Sequence, residues 1–515
     1  MEKTKISQIA KHASSITIAV FFSRILGLVR EQVLAYFFGA GKSMDAFVVA
    51  YRIPNLLRDL FAEGALASAF TKVFSSTLVK KDLKQSFEIA SILLSNVIVV
   101  LTTIVILGII FSPNIVSLIA PSFKTTPDKF ELTVNLTRIM MPFLLLISIS
   151  AVIGGMLNSL KIFFIPAFSS AIFNLISIVI GVCGYFVFKK LGILPIYSMA
   201  IGVVLGGLAQ MLIQIPYLIK KGFFFRFKIN FLLPEAKEIA LLIAPTILGL
   251  AAVQINIFIN TFFATSCGEG AVSWYSYAFR IMYVPLGLFG VGVAQALLPA
   301  LTKEISLKNL SNAKELYFRS LILSLSLALP SALGLYLLSY EIIEVLFQRG
   351  AFTIKDTIST GKLLQILALG VPFYAISKAT IPLFYSLKKT IFPTIGSFVA
   401  VAINLLIISL TIKKLGINAV ALGTSISLMC QALFLFLCAV YFFKIPKRKA
   451  YLLDLLYILL ALSVLVLSII LIKKFFDSSL LRVGLGVFLG GILYIFVIKL
   501  FGPKDTKAFF SRFFP

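Results

Sequence analysis

The chain has 515 residues, 60% of them hydrophobic and only 13% charged, with a mean hydropathy of +1.04. That composition excludes a soluble globular protein, and no polar stretch is large enough to form a separate soluble domain. The net charge of +27 would suit nucleic acid, but in so apolar a chain it reads as lysines and arginines in loops beside anionic lipid; no nucleic-acid partner is expected.

Lys3, Lys5 and Lys11 precede an apolar run that imitates a signal peptide. Arg24 and Arg30 interrupt that run and no small-residue cleavage site follows, so it reads as a retained first helix. Apolar stretches long enough to span a bilayer then recur to the end of the chain. Fourteen are predicted, at about 13–38, 44–78, 86–120, 131–158, 161–188, 196–220, 237–266, 272–302, 312–340, 357–386, 390–412, 417–443, 451–473 and 480–501. The second is too long for a simple span and holds Pro54 with several charges, so a bend or a wet face is expected there. The fold class is therefore an all-α polytopic membrane protein.

An even number of spans puts both termini on one side. The loops on that side hold Lys80, Lys81, Lys84, Lys161, Lys220, Lys221, Arg226 and Lys228, and later Lys388, Lys389, Lys447 and Arg448. With the termini included they outnumber the basic residues of the opposite loops by about two to one, which makes this side cytoplasmic. The four cysteines, Cys183, Cys267, Cys430 and Cys438, sit in or beside apolar spans. Their spacings suggest neither a disulfide framework nor a metal site.

The chain also repeats itself. Tyr51-Arg52-Ile53, Leu60-Phe61 and Gly64 match Phe279-Arg280-Ile281, Leu288-Phe289 and Gly292 at an offset of 228. Ser159-Leu160-Lys161 with Pro166 matches Ser386-Leu387-Lys388 with Pro393 at 227, and Pro142-Phe143 matches Pro372-Phe373 at 230. Residues 1–228 and 229–446 thus read as two pseudo-symmetric six-helix lobes, with two further helices in 447–515. Parallel repeats enclosing a central cavity are a transporter plan.

Charges inside the spans are few and concentrated. The first span has Arg24, Arg30 and Glu31; the second has Asp45, Arg52, Arg58, Asp59 and Glu63; the eighth has Arg280; and the tenth has Lys378. A charge at the bilayer centre costs about 2.5–3.5 kcal/mol on insertion scales, so such residues call for a function. Pairing of each arginine with an acid is the plainer reading, and for Arg58 beside Asp59 it is an even match. Arg24, Arg30 and Arg280 are better explained by a polyanion, because arginine stays charged and fits phosphate oxygens as a bidentate fork. Residues six apart on a helix differ by about 240°, so Arg24 and Arg30 cannot share a narrow stripe. Gln254, Asn256 and Asn260 in the seventh span and Asn404 in the eleventh suit interhelical hydrogen bonds or an ion site. Gly154-Gly155 and Gly206-Gly207 suit close helix packing. No metal site or cofactor is expected; coupling to the membrane potential or to a monovalent cation stays open.

FSRILGLVRE, MDAF and PNLLRDLFAEGALASAF resemble the N-terminal signature of the MurJ (MviN-type) lipid II flippases, of the multidrug/oligosaccharidyl-lipid/polysaccharide exporter superfamily. SWYSYAFRIMYVPLGLFGVGVAQALLPAL and SKATIPLFYSLKKTIFP resemble later parts of the same family. The resemblance implies carriage of lipid-linked peptidoglycan precursor from the inner to the outer leaflet of the bacterial cytoplasmic membrane. It implies that Arg24, Arg30 and Arg280 engage the diphosphate and headgroup, and that Arg58 and Asp45 are further charged positions the family needs. Arg52, Glu63 and Lys378 complete the candidate substrate-binding set. It gives the last two helices a groove for the polyprenyl tail. Lipid II and membrane lipids are the partners implied, with other cell-wall synthesis proteins conceivable. Two features depart from the pattern: Phe279 stands where some members have an acid, and Asn260 and Asn404 stand near the aspartates of a sodium site found in some members. The alternatives are a flippase for another undecaprenyl-linked glycan, or a membrane enzyme acting on lipid phosphates. The enzyme reading lacks support, since the chain has one histidine and no D-x-D loop motif to supply a base or metal pair.

Overall fold

The structure is a computed structural model that describes residues 2–59, 66–287, 291–443 and 449–513, with side chains described from residue 17 onward apart from 244–246, 248, 249, 291, 449, 450, 452, 504, 505, 512 and 513. Glu63 lies outside the described residues. The described residues form helices and connecting turns, with no strand among them.

The helices are α1 (Glu2–Phe38), α2 (Lys42–Arg58), α3 (Ala67–Lys80), α4 (Leu83–Ile110), α5 (Ser112–Ile119), α6 (Pro127–Met140), α7 (Pro142–Ser159), α8 (Phe164–Lys190), α9 (Ile196–Leu212), α10 (Ile215–Ile219), α11 (Pro234–Thr265) and α12 (Ala271–Pro285). They continue as α13 (Val291–Ser306), α14 (Leu310–Leu337), α15 (Ser339–Phe347), α16 (Ile354–Ala368), α17 (Val371–Ser386), α18 (Ile391–Leu415), α19 (Asn418–Phe443), α20 (Lys449–Phe475), α21 (Ser479–Phe501) and α22 (Lys504–Phe513). In their described residues, all fourteen predicted stretches are largely helical. Among the described residues nine helices are long and apolar enough to cross a membrane, and α16 with α17 makes a tenth bent by 42°. The first, second and eighth predicted spans, which carry most of the internal charges, fall outside that set, as does the seventh.

Two compact units divide the chain, Met1–Gln254 and Ile255–Pro515. Several of their helices correspond. α4 and α14 start at Leu83 and Leu310, end at Ile110 and Leu337, and are followed by the short α5 and α15. Each of the two is capped by the residue before it: Asp82 accepts the Gln85 N–H (2.7 Å) and Asn309 accepts the Asn312 N–H (3.3 Å). Such caps satisfy otherwise orphaned helix N–H groups and contribute about 1 kcal/mol each. α6–α7 and α16–α17 are both interrupted before a proline, Pro142 and Pro372, whose missing N–H suits a helix start.

In the first unit, α8 packs on α1 and α9. Asn174 of α8 donates to the Ser23 carbonyl (3.2 Å), and Gly27 leaves room for it. At Gly206 a side chain would press on the Phe173 carbonyl, and at Gly207 on the Phe143 ring, so these two glycines do permit close packing. The loop after α10 lies against α4. The N–H groups of Arg226, Lys228 and Asn230 donate to Ser91, Ser95 and Asn96 (3.4, 3.1 and 3.0 Å), and Asn96 donates back to the Asn230 carbonyl (2.8 Å). Irregular backbone beside a span needs such partners.

In the second unit, the predicted extra pair α20 and α21 packs on α14 and α15 through Ile322, Leu338, Leu465, Ile469 and Ile498. The Tyr494 hydroxyl donates to the Ser326 carbonyl (2.6 Å). Lys473 reaches the buried Glu341 of α15 (2.8 Å).

Candidate functional site

Helices α1, α2 and α8 set the cationic part of the first unit. Arg24 is exposed on α1, whereas Arg30 is only 8% exposed, so the two stand on different faces as their spacing requires. The Arg30 guanidinium lies over the rings of Phe173 (5.2 Å) and Tyr51 (5.8 Å). A desolvated cation over an aromatic face gains about 2 kcal/mol. Its Nη2 is 3.4 Å from Glu31 Oε1, long for a charge-assisted bond. Nε and Nη1 are buried and meet no hydrogen-bond partner among the described residues. Arg30 is therefore fixed by rings while most of its donor fork is unspent.

The other charges of α2 are more committed. Asp45 is wholly buried and binds Lys129 of α6 at 2.8 Å. Lys129 is itself 6% exposed and sits 4.2 Å over the Phe123 ring. The pair clamps α2 to α6 with no open edge. Arg58 uses Nε (3.2 Å) and Nη2 (2.9 Å) on Asp59 Oδ1, while Gln254 donates to Asp59 Oδ2 (3.5 Å). Arg52 is half-buried on α2.

The second unit places Arg280 exposed on α12, beside a ladder of rings in which Tyr275–Phe279 and Phe279–Tyr283 are each 5.8 Å apart. Tyr283 and Tyr374 share a hydroxyl contact of 3.3 Å, and Lys378 lies 5.1 Å over the Tyr374 ring. Lys378 is half-buried. Sequence reading named the cations of both units but not their aromatic seats. Tyr51 is visible in hindsight as the partner of Phe279 in the repeated motif; nothing in the letters marks Phe173.

The polar residues of α11 and α18 form an amide network. Asn404 donates through Nδ2 to Asn256 Oδ1 and to Asn260 Oδ1 (2.8 Å). Asn260 donates to Tyr275 (2.9 Å) and Thr424 (3.2 Å). The Asn256 and Asn260 oxygens thus accept from Asn404, while Asn404 Oδ1 is buried and meets no donor among the described residues; among the described residues no three His, Cys, Asp or Glu side chains group as a metal site.

A repeated all-helical fold with at least nine long apolar helices among the described residues defines a multi-pass membrane protein. The family profile described as Lipid II flippase MurJ matches residues 34–493. A protein of Buchnera aphidicola subsp. Acyrthosiphon pisum named Probable lipid II flippase MurJ is 31% identical, covering 97% of this chain and 98% of its own. One of the same name from Rhizobium meliloti is 35% identical over 82% of this chain and 79% of its own. A solved structure titled "Lipid II flippase MurJ, inward closed conformation" superposes with a TM-score of 0.79 at 28% identity, covering 94% of this chain and 98% of that one. An inward-facing multidrug resistance MATE family transporter of the MOP superfamily, at 16% identity and a TM-score of 0.67, shares the fold, covering 82% of this chain and 94% of that one. The chain belongs to the MurJ family of lipid II flippases.

Proposed function

We propose that this protein carries lipid II from the inner to the outer leaflet of the bacterial cytoplasmic membrane by alternating access, with both termini in the cytoplasm, and that it performs no covalent chemistry. The observation that carries the reading is Arg30, a buried guanidinium seated on two rings with Nε and Nη1 unspent. Arginine of this kind suits a diphosphate, which offers several oxygens to a planar fork. Arg24 and Arg280, both exposed, supply further cationic contacts, and Lys378 another. Arg52 is a further candidate contact. Asp45 serves by tying α2 to α6 through Lys129, and Arg58 by its pair with Asp59, which Gln254 of α11 also meets.

The cargo's tail stays in lipid while its charged head is transferred. Neutralising the head lowers the cost of moving it through a low-dielectric region. A potential positive outside favours outward movement of an anion by about 2.3 kcal/mol per charge per 100 mV. The test is complementation: a strain depleted of its own lipid II flippase should grow when this chain is expressed. Failure to restore growth by protein that reaches the membrane would contradict the reading.

A further inference from the structure

A cleft of about 570 Å³ opens in the first unit among α3, α7, the start of α8 and the joint between α9 and α10. Its volume lies in the range of small-molecule sites, about 300–1,000 Å³. None of the charged residues considered above lines it. Its walls include Lys72 and Ser75 of α3, Ser150 and Asn158 of α7, Gln210 of α9 and Gln214 just before α10.

Several of these groups are unspent. Gln214 is 1% exposed; its Nε2 donates to Ser150 Oγ (2.6 Å) and the Gln210 carbonyl (3.0 Å). Its Oε1 meets no donor among the described residues. Turning the amide over would only orphan the other atom, so the surplus belongs to the site and not to the assignment of N and O. The side chains of Asn158 and Gln210 make no hydrogen bond among the described residues, and Lys72 makes no ion pair there. Buried polar groups are ordinarily satisfied, so Gln214 Oε1 calls for a partner, and the more accessible Asn158, Gln210 and Lys72 stand beside it with side chains free to take a ligand.

The two glycines of α7 shape the wall. A Cβ at Gly154 would stand 3.1 Å from Gln214 Oε1, and one at Gly155 2.7 Å from Thr71 Oγ1. Gly155 permits the close packing of α3 expected from the sequence, at Ala67, Phe70 and Thr71, and Gly154 also admits the Gln214 side chain.

The lining has one cation and no acid. Its ligand is thus anionic, yet it must also donate, because Gln214 Oε1 awaits a donor. A diphosphate esterified at both ends offers only acceptor oxygens at neutral pH. An amide-bearing group with a carboxylate offers an N–H to Gln214 and an anion to Lys72. We propose that this cleft receives the carboxylate-bearing, amide-rich part of the cargo headgroup, separately from the arginines that take the diphosphate. The inference rests on the lipid II reading above.

The test uses the full-length protein in nanodiscs, with two probes: lipid II, and undecaprenyl diphosphate, which lacks sugars and peptide. Lys72→Ala should weaken lipid II binding about tenfold and leave undecaprenyl diphosphate binding unchanged, with Lys72→Arg restoring lipid II. Asn158→Leu should weaken lipid II in the same selective way. Lys72 is exposed, so its replacement should keep the melting temperature of the parent. Unchanged binding of lipid II by Lys72→Ala, or equal weakening of both lipids, would overturn the cleft assignment and leave the cargo reading standing. If the parent protein binds neither lipid, the cargo reading falls and the cleft assignment with it.

Discussion

Lys161 and Lys388, 227 residues apart, adopt the same left-handed backbone, with φ of 63° and 58°. Each sits just past the end of its helix. The N–H of the next residue returns to a carbonyl five back: Ile162 to Leu157 (2.9 Å) and Lys389 to Phe384 (2.8 Å). This is the six-to-one bond of a helix stop that normally uses glycine. The internal repeat thus extends to backbone geometry, in the same Ser-Leu-Lys triplets that reveal it in the letters.

A side chain in the left-handed region costs about 1–2 kcal/mol. Lys161→Gly and Lys388→Gly should each raise the melting temperature of the purified protein, offset in part by glycine's greater freedom in the unfolded chain. Valine at either position should lower it. Thermal unfolding in detergent checks both directions.

Removing Asp45 should act through folding. Asp45→Ala leaves Lys129 buried without its partner, a change that typically costs about 3–5 kcal/mol. The double variant Asp45→Leu with Lys129→Met removes both charges and should recover most of the stability and the transport. Stable but inactive Asp45→Ala protein would instead assign Asp45 a direct part in handling cargo.

Outside the spans, Lys81 donates to Glu235 Oε1 (2.8 Å), and this bond holds the Glu235 carboxyl below the usual carboxylate range. A lowered folded-state value means the pair's contribution is complete above the ordinary glutamate value of about 4.3 and is lost as pH falls through the lower folded value. Partly exposed pairs contribute about 0.2–1 kcal/mol. Glu235→Gln should lower stability by that amount at pH 7, and the difference from the parent should vanish on acidification through this window.

In the amide network of Asn256, Asn260 and Asn404, the Asn256 and Asn260 oxygens both accept from Asn404 Nδ2. Asn404→Leu strips both of that donor and should destabilise by about 1–3 kcal/mol. Thermal unfolding in detergent checks it, and an unchanged melting temperature for Asn404→Leu would contradict it.

Helices were legible because a bilayer demands long apolar runs, and the breaks before Pro142 and Pro372 follow from the missing N–H. Arg30 stood out because a charge in such a run is costly. Its seat on Phe173 was not legible, because that contact joins α1 to α8 across 143 residues with no local signal. Nor do the letters mark Lys129 as the partner of Asp45: the turn Pro121–Thr125 folds Phe123 beneath it and α6 carries it onto Asp45. The polar cleft was hidden because its walls come from α3, α7, α8 and α9, each with only one or a few unremarkable polar letters.

The central claim is that Arg30 engages the anionic head of the cargo. The most direct measurement is the leaflet distribution of lipid II in cells whose only flippase is this protein carrying Arg30→Ala. We expect the variant to reach the membrane at the parent's level while lipid II stays in the inner leaflet, with Arg30→Lys recovering only part of the transfer. Normal appearance of lipid II in the outer leaflet with Arg30→Ala would contradict the account.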